Sequence, residues 1–222
     1  MKNRVPQRFV CALAVLFLQA GPVKAQPALS LDDFNQRPNR SYSGYAPGPG
    51  AVQEGYGVYY EMARARLSRV QVISANATNQ ALRIQYELPP YFPWGNWLSI
   101  RREFESPLDL SQYRGLEMNL KVEAPSEARL RITLSDIENL GEHEDEMWWF
   151  DFDPGLLKNG TRQWITLRAP FEGFYLSWGG GTRQNDGKRN LSKIVAFEIN
   201  LISPSQEHPK GTILVDFLHA YK

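Results

Sequence analysis

An acidic run before two tryptophans is the densest set of side chains that could do chemistry. Five carboxylates and one imidazole lie just before Trp148 and Trp149; they are Glu138, Glu142, His143, Glu144, Asp145 and Glu146. A carboxylate pair can serve as general acid and base, as in glycosidases, and an acidic loop can also hold a metal ion. Adjacent like charges are more typical of a solvated loop between two strands. The run favours the solvated loop and leaves the catalytic and metal-binding alternatives open.

The other chemistry-bearing residues form no recognisable ligand or nucleophile pattern. His143, His208 and His219 are scattered and lack the spacing that places two histidines on one helix face. The chain has no Gly-x-Ser-x-Gly elbow for a hydrolase serine. Residues 179–182 (GGGT) lack the Lys-Ser/Thr ending of a phosphate-binding loop. They indicate a flexible loop beside Trp178, and closure of this loop over a ligand is a further hypothesis.

Composition and charge narrow the class of protein. The chain has 222 residues, of which 42% are hydrophobic and 22% charged, so it can form a globular core. Its single cysteine excludes a disulfide framework and any metal site built on several thiolates. A formal net charge of +1 provides no broad basic field, which argues against a nucleic-acid partner.

Residues 1–25 read as a cleaved signal peptide. Lys2, Arg4 and Arg8 precede an apolar run over residues 9–18, which is too short to span a bilayer comfortably. We expect cleavage after Ala25 and a secreted or periplasmic protein without a membrane span. The mature chain would have 197 residues, a net charge of −3 and no cysteine, which suits an oxidising compartment.

The rest of the chain predicts one all-β domain. Residues 26–68 indicate an N-terminal strand and a long covering loop rich in Gly, Pro and Tyr. Residues 69–222 form the sandwich core of the same domain, because apolar and polar residues alternate along them without βαβ alternation. The fold class is therefore an antiparallel two-sheet β-sandwich. The predicted strand runs are 81–88, 97–104, 116–123, 129–136, 147–153, 164–168, 194–202 and 212–221.

The alternation also assigns faces to these strands. The core face carries Met118, Leu120, Val122, Leu130, Ile132, Leu134, Trp148, Phe150, Phe152, Val195, Phe197, Ile199 and Leu201. The opposite face carries Arg101, Glu103, Asn119, Lys121, Arg129, Arg131, Thr133, Trp149, Asp151, Asp153, Trp164, Thr166, Glu198 and Asn200. Hydrogen-bonding groups mixed with tryptophan are typical of a platform for a polar ligand. A solvated sheet face whose charges oppose aggregation is the alternative.

Several segments, in this order, resemble one family of domains. They are residues 31–34 (LDDF), 107–116 (PLDLSQYRGL), 164–171 (WITLRAPF) with Phe174, 191–194 (LSKI) leading into 197–199 (FEI), and 211–217 (GTILVDF). Together they resemble the galactose-binding-like jelly rolls of carbohydrate-binding module family 11 and of complex I intermediate-associated protein 30 (CIA30). The resemblance covers essentially the whole mature chain.

The resemblance implies a sandwich that binds a glucan chain on its concave sheet. Aromatic rings then lie against sugar faces, while carboxylates and guanidinium groups hold vicinal hydroxyls. By position, the resemblance implies carbohydrate contacts from Trp149 and Asp151 on one strand and Arg131 on the next. Tyr175 and Trp178 would sit on a rim loop. The long run of tyrosines found in the binding modules has no clear counterpart in this sequence.

The same resemblance implies a structural calcium ion as the one candidate cofactor. Asp33 and Asp216 are the acidic residues at the matching ends of the fold. Carboxylates and backbone carbonyls are suitable ligands for this hard cation. A turn or capping role for Asp33 and a backbone hydrogen bond for Asp216 are the alternatives.

Three functional hypotheses follow from the sequence. The first is an exported, non-catalytic domain that binds a β-glucan or another polysaccharide. The second is a CIA30-like assembly protein that holds a protein partner. The third is a jelly-roll enzyme that uses carboxylates of the acidic run together with Asp151 or Asp153. The first leads, because the signal peptide, the aromatic and polar face and the resemblance agree.

Overall fold

The described part of the chain is almost entirely β-strand. The structure is a computed structural model, and it describes residues 29–32, 41–42, 56–60, 68–75, 79–90, 96–137, 146–161, 163–178, 186–203 and 207–222. In chain order the elements are β1 (Leu29–Asp32), β2 (Ser41–Tyr42), β3 (Tyr56–Tyr60), β4 (Arg69–Ser74), β5 (Gln80–Glu87), β6 (Asn96–Leu108), β7 (Gly115–Ala124), β8 (Arg129–Asp136), β9 (Glu146–Asp151), α1 (Gly155–Asn159), β10 (Ile165–Pro170), a 3₁₀ turn (Phe171–Gly173), β11 (Tyr175–Trp178), β12 (Ile194–Ser203) and β13 (Lys210–Tyr221).

The strands form two antiparallel sheets. One has six strands in the order β11-β9-β8-β12-β6-β3. The other has seven strands in the order β10-β7-β13-β5-β4-β2, with β1 also paired to β13. All of these pairs are antiparallel. The predicted all-β class with two antiparallel sheets is therefore confirmed.

The core is formed by alternate residues of the strands of both sheets. Leu130, Ile132 and Leu134 of β8 are at most 1% exposed, and Leu120 of β7 and Ile213 of β13 are completely buried. Burying each such side chain contributes about 1.5–3 kcal/mol. A slip of one residue would turn each strand's apolar set to solvent, so the core fixes the register and the outward face together.

The structure corrects two details of the predicted faces. Val195 is only partly buried, because an irregularity between Ile194 and Ala196 interrupts the alternation in β12. The polar residues Asn119 and Thr166 lie on β7 and β10, in the seven-stranded sheet. Period two assigns a side chain to one side of its own strand, whereas the pairing of strands decides which sheet that side belongs to.

Strands β2, β3 and β4 and the short helix α1 were not predicted from the sequence. Asp153 accepts a hydrogen bond from the Gly155 backbone N–H at 2.6 Å, and Leu157 is 1% exposed. The helix is thus held at its first turn by a side chain and at its centre by burial. No helix among the described residues is long and apolar enough to cross a membrane.

Candidate functional site

The outward surface of the six-stranded sheet, called here the outer face, carries most of the predicted site residues. Its side chains alternate with the core residues of the same strands, and strand pairing places them in rows. Four of the polar ones, on the middle strands, are themselves at most 7% exposed: Ser99, Thr133, Ser135 and Asn200. Trp149 of β9 pairs with Tyr175 of β11 and with Thr133 of β8, and Thr133 pairs with Glu198 of β12. The described outer face includes Trp97, Ser99, Arg101, Glu103, Arg129, Arg131, Thr133, Ser135, Met147, Trp149, Asp151, Tyr175, Ala196, Glu198, Asn200 and Ile202.

Four predicted residues come together in a connected group, the Arg131 cluster: Arg131, Trp149, Asp151 and Tyr175. Arg131 and Asp151 are cross-strand partners that form a bidentate ion pair, with Nε to Oδ1 at 2.6 Å and Nη2 to Oδ2 at 3.1 Å. The Tyr175 hydroxyl donates to Asp151 Oδ2 at 2.5 Å. Such charge-assisted, bidentate contacts fix geometry as well as energy.

The Trp149 ring lies between two other members of this cluster. The Arg131 guanidinium carbon is 3.6 Å from the ring centroid, and Tyr175 meets the ring edge-on with centroids 6.2 Å apart and planes at 79°. Trp149 is only partly exposed, whereas Tyr175 is 46% exposed. The most accessible aromatic surface of the cluster is therefore Tyr175.

The ionisation of Asp151 follows from these contacts. Partial burial raises the pKa of its carboxyl, but the hydrogen bonds from Arg131 and Tyr175 outweigh this effect. The Arg131 and Arg129 charges act in the same direction as the hydrogen bonds, so the pKa lies below its ordinary value. Partial burial and the bond to Asp151 raise the pKa of the Tyr175 phenol. At neutral pH the cluster thus contains a carboxylate, a guanidinium and a neutral phenol.

The cluster still has hydrogen-bonding capacity after these contacts. A carboxylate offers about four lone-pair sites, and Asp151 uses three of them for Arg131 and Tyr175. Arg131 uses Nε and Nη2, and no contact of its Nη1 is found among the described residues. One acceptor site on Asp151 and the two N–H donors of Arg131 Nη1 are consequently still available for a ligand.

A second hydrogen-bonded group continues the outer face across β12. Glu198 accepts hydrogen bonds from Arg101 Nη1 and from Ser99 Oγ, both at 2.8 Å. Asn200 donates to Thr133 Oγ1 at 2.9 Å. These bonds hold the polar side chains of the middle strands in fixed positions. The group, called here the polar floor, lies beside the Arg131 cluster and is largely buried, with Ser99, Thr133 and Asn200 at most 7% exposed.

The predicted rim loop after the 3₁₀ turn is instead the edge strand β11. Tyr175 pairs there with Trp149, and Trp178 pairs with Met147 after a register shift. The side chain of Trp178 and the glycine loop that follows it lie outside the described residues. Trp97, which was not predicted as a site residue, lies partly exposed on the outer face of β6, paired with Ile202. Its alternation with the buried Leu98 was the signal that could have found it.

The acidic run is described only at its last residue. Glu146 is 1% exposed and accepts a hydrogen bond from the Gly187 backbone N–H at 3.0 Å. It pairs across the strands with Asp136, which is equally buried and accepts hydrogen bonds from Trp148 Nε1 and the Asn190 backbone N–H. Glu146 is therefore buried, unlike the solvated loop predicted for the run. Both carboxylates accept hydrogen bonds from the segment before β12.

Of the predicted calcium ligands, only Asp216 belongs to the described residues. Its Oδ1 accepts a hydrogen bond from Asn79 Nδ2 at 2.7 Å, and Asp33 lies outside them. No group of three His, Cys, Asp or Glu residues that could hold a metal ion occurs within the described ranges. The described residues thus supply one of the two predicted ligands, and the calcium site stays a prediction.

This sandwich has the fold of carbohydrate-binding modules. The family 11 module from Clostridium thermocellum in complex with a β-1,3-1,4-mixed-linked tetrasaccharide is 14% identical, with a TM-score of 0.60 over 87% of this chain and 95% of that chain. The family 11 module of a cellulosomal cellulase from the same organism is 18% identical, with a TM-score of 0.54 over 89% of this chain and 96% of that chain. The predicted resemblance to family 11, and with it the jelly-roll sandwich, is confirmed at the level of the fold. No protein-family model and no curated protein matches the sequence.

Proposed function

We propose that this chain is a non-catalytic carbohydrate-binding domain that holds a polysaccharide on the outer face of its six-stranded sheet. The observation that carries the proposal is the Arg131 cluster, in which Asp151 and Arg131 offer acceptors and donors beside the exposed ring of Tyr175. Pyranose rings present C–H surfaces to aromatic rings and adjacent hydroxyls to paired polar groups. The cluster provides both.

A β-glucan is the first ligand to test. A solved module with the same fold is in complex with a β-1,3-1,4-mixed-linked tetrasaccharide, which supports this choice. The polar floor beside the cluster is also suited to such a chain, because Arg101 is neutralised by Glu198 and Arg131 by Asp151. Paired charges favour an uncharged, hydroxyl-rich ligand over a strongly charged one.

Affinity electrophoresis and calorimetry with soluble mixed-linked β-glucan test the proposal. We expect the wild-type protein to be retarded and Arg131→Ala to lose at least tenfold in affinity, which corresponds to about 1.4 kcal/mol. Arg168→Ala is the matched control, because Arg168 forms a comparable ion pair with Glu117 in the other sheet. Absence of binding to any member of a glycan array would refute the proposal, and equal losses in both variants would remove the site from the outer face.

We further propose that the protein is exported by residues 1–25, which lie outside the described residues. The basic start and short apolar run of this segment support the proposal. Expression of the full chain in a bacterial host with N-terminal sequencing of the extracytoplasmic product tests it. A product beginning at Gln26 is expected, and a protein retained in the cytoplasm at full length would contradict it.

A further inference from the structure

We propose that Arg189 is a positioning residue for the Arg131 cluster, because it fastens the edge strand that carries Tyr175 to the neighbouring strand that carries Trp149. The effect on ligand binding rests on the proposed function, whereas the effect on Tyr175 does not.

The edge strand β11 needs such support. It has four residues, lies at the end of the six-stranded sheet and pairs with β9, and its register shifts between Leu176 and Trp178. Tyr175 is 46% exposed and Leu176 is 40% exposed, so the strand itself buries little apolar surface. A short edge strand with little burial is weakly held by its ladder alone.

Arg189 contacts the residues that directly precede both aromatic members of the cluster. Its Nη1 donates to the Phe174 carbonyl at 3.1 Å, and its guanidinium carbon lies 6.0 Å from the Phe174 ring centroid. The same carbon lies 5.5 Å from the Trp148 ring centroid. Phe174 precedes Tyr175, and Trp148 precedes Trp149. One planar cation therefore spans the two chain segments whose alignment sets the distance between Tyr175 and Asp151.

The backbone on either side of Arg189 is held by two buried carboxylates, Asp136 and Glu146. Asp136 accepts a hydrogen bond from the Asn190 backbone N–H, and Glu146 accepts one from the Gly187 backbone N–H at 3.0 Å. Both carboxylates are 1% exposed. Gly187 has a φ of 69°, a conformation that favours glycine. The backbone on both sides of Arg189 is thus fixed to the buried ends of β8 and β9.

These two strands also carry the cluster. Asp136 and Arg131 belong to β8, and Glu146, Trp149 and Asp151 belong to β9. The segment around Arg189 is thus bound at one end of the β8–β9 pair. Through Arg189 it holds β11 beside Arg131, Trp149 and Asp151. Without the Arg189 contacts, β11 would keep its ladder with β9 but lose its fixed alignment, and the Tyr175 hydroxyl would separate from Asp151.

The ionisation of the Tyr175 phenol reports this alignment directly. Partial burial and the bond to Asp151 raise its pKa above the ordinary value of about 10. NMR titration of protein carrying tyrosine labelled with ¹³C at Cζ measures this pKa, and Tyr175→Phe assigns the resonance. In Arg189→Met we expect the Tyr175 pKa to fall toward 10, whereas Arg168→Met should leave it unchanged. General loss of stability in a folded protein would not selectively shift this one phenol.

Two further results complete the test. Arg189→Lys keeps a donor for the Phe174 carbonyl but loses the planar contact with both rings, so we expect a Tyr175 pKa between the other two values. If Arg189→Met does not fold, the Tyr175 pKa in Arg189→Lys alone tests the proposal. A folded variant with the wild-type Tyr175 pKa would overturn the proposal.

Glucan affinity measures whether Arg189 matters for ligand binding. We expect Arg189→Met to lose about tenfold in affinity and Arg189→Lys to retain part of it. If the wild-type protein binds no glycan, the proposed function fails while the Tyr175 titration still decides the role of Arg189. Unchanged glucan affinity together with a shifted Tyr175 pKa would show that the alignment of Tyr175 does not matter for the ligand, and would overturn the functional part alone.

Discussion

The Arg131 guanidinium carbon lies 3.6 Å from the centroid of the Trp149 ring, so the guanidinium covers one face of the indole. The resemblance to family 11 implies that Trp149 contacts a sugar. In the structure its ring packs against the Arg131 guanidinium and supports it. A cation–π contact of this kind contributes about 0.5–1 kcal/mol at an exposed site and more where water is excluded. The indole holds the guanidinium in the plane from which it binds Asp151.

This relationship predicts that Tyr175, more than Trp149, provides the ring on which a sugar lies. We expect Tyr175→Ala to lower glucan affinity by tenfold or more, because the variant loses both the exposed ring and the hydrogen bond to Asp151. Tyr175→Phe keeps the ring and should lose only a few-fold. Calorimetry with these two variants and with Trp149→Phe makes the comparison, and wild-type affinity in Tyr175→Ala, or a greater loss in Trp149→Phe than in Tyr175→Ala, would contradict it.

The acid side of the stability profile should depend on Asp151. Its folded-state pKa is lowered, so its interactions stabilise the protein above the unfolded-state pKa of about 3.9, and this stabilisation is lost as the pH falls through the folded-state pKa. We expect the difference in melting temperature between wild type and Asp151→Asn to be constant from about pH 7 to 5 and to shrink below about pH 4. Glu123→Gln is the control, since Glu123 pairs with Arg83 on the exposed surface of the other sheet, where an ion pair contributes little to stability. A difference that grows toward low pH would contradict the prediction.

The strands could be predicted from the sequence because they follow period two, and the resemblance to family 11 placed Arg131 and Asp151 on neighbouring strands; the ion pair between them was not predicted. A half-buried strand must alternate, and two outward residues of neighbouring strands can then meet as cross-strand partners. The alternation could not tell which sheet Asn119 and Thr166 belong to, because strand pairing depends on contacts distant in the chain.

Other features of the site depend on tertiary contacts that leave little local signal. Strand β11 is too short for its alternation to be recognised, so Tyr175 read as a loop residue. Glu146 was predicted as part of a solvated loop, and no role was predicted for Asp136. Both are buried and accept hydrogen bonds from backbone N–H groups of a segment 41 and 54 residues further along the chain. Such pairing is a property of the folded chain and not of either local sequence.

Gly115 should be required for the packing of the seven-stranded sheet. A Cβ atom there would lie 2.5 Å from the Ala169 carbonyl oxygen and 2.7 Å from Pro170 Cα, both of them backbone atoms of β10. We expect Gly115→Ala to destabilise the fold by about 1–3 kcal/mol. Thermal denaturation should show a melting temperature lower by several degrees.

Gly155→Ala is the matched control for this substitution. Its Cβ would meet Asp153 Oδ1 at 3.0 Å and Asn159 Nδ2 at 3.3 Å, and both atoms belong to side chains that can move. Glucan affinity should be unchanged in the folded fraction of Gly115→Ala, because the glycine lies in the sheet opposite the cluster. Equal melting temperatures for the two variants would refute the packing argument.

The predicted calcium ion should appear as a ligand-dependent change in stability. A cation that binds only the folded protein raises the free energy of unfolding, by about 2.7 kcal/mol at a hundred times its Kd. If Asp33 and Asp216 hold calcium, a chelator should lower the melting temperature, added calcium should restore it, and Asp216→Asn should abolish both effects. A melting temperature insensitive to chelator and calcium would rule the site out.

Trp97 should matter for long ligands and not for short ones. It lies on β6, three strands from β9, and four residues along β6 from Arg101, which shares a row with Trp149. With strands about 4.8 Å apart and a rise of about 3.3 Å per residue, Trp97 is roughly 20 Å from Trp149. A disaccharide held at Tyr175 would not reach it, whereas an extended chain crossing the polar floor would.

We expect Trp97→Ala to lower the affinity for polymeric glucan by about two- to tenfold, as for a lost aromatic contact of about 0.5–1.5 kcal/mol, and to leave disaccharide affinity unchanged. Calorimetry across an oligosaccharide series measures both effects, and an equal loss for every chain length would place Trp97 outside the path of the ligand.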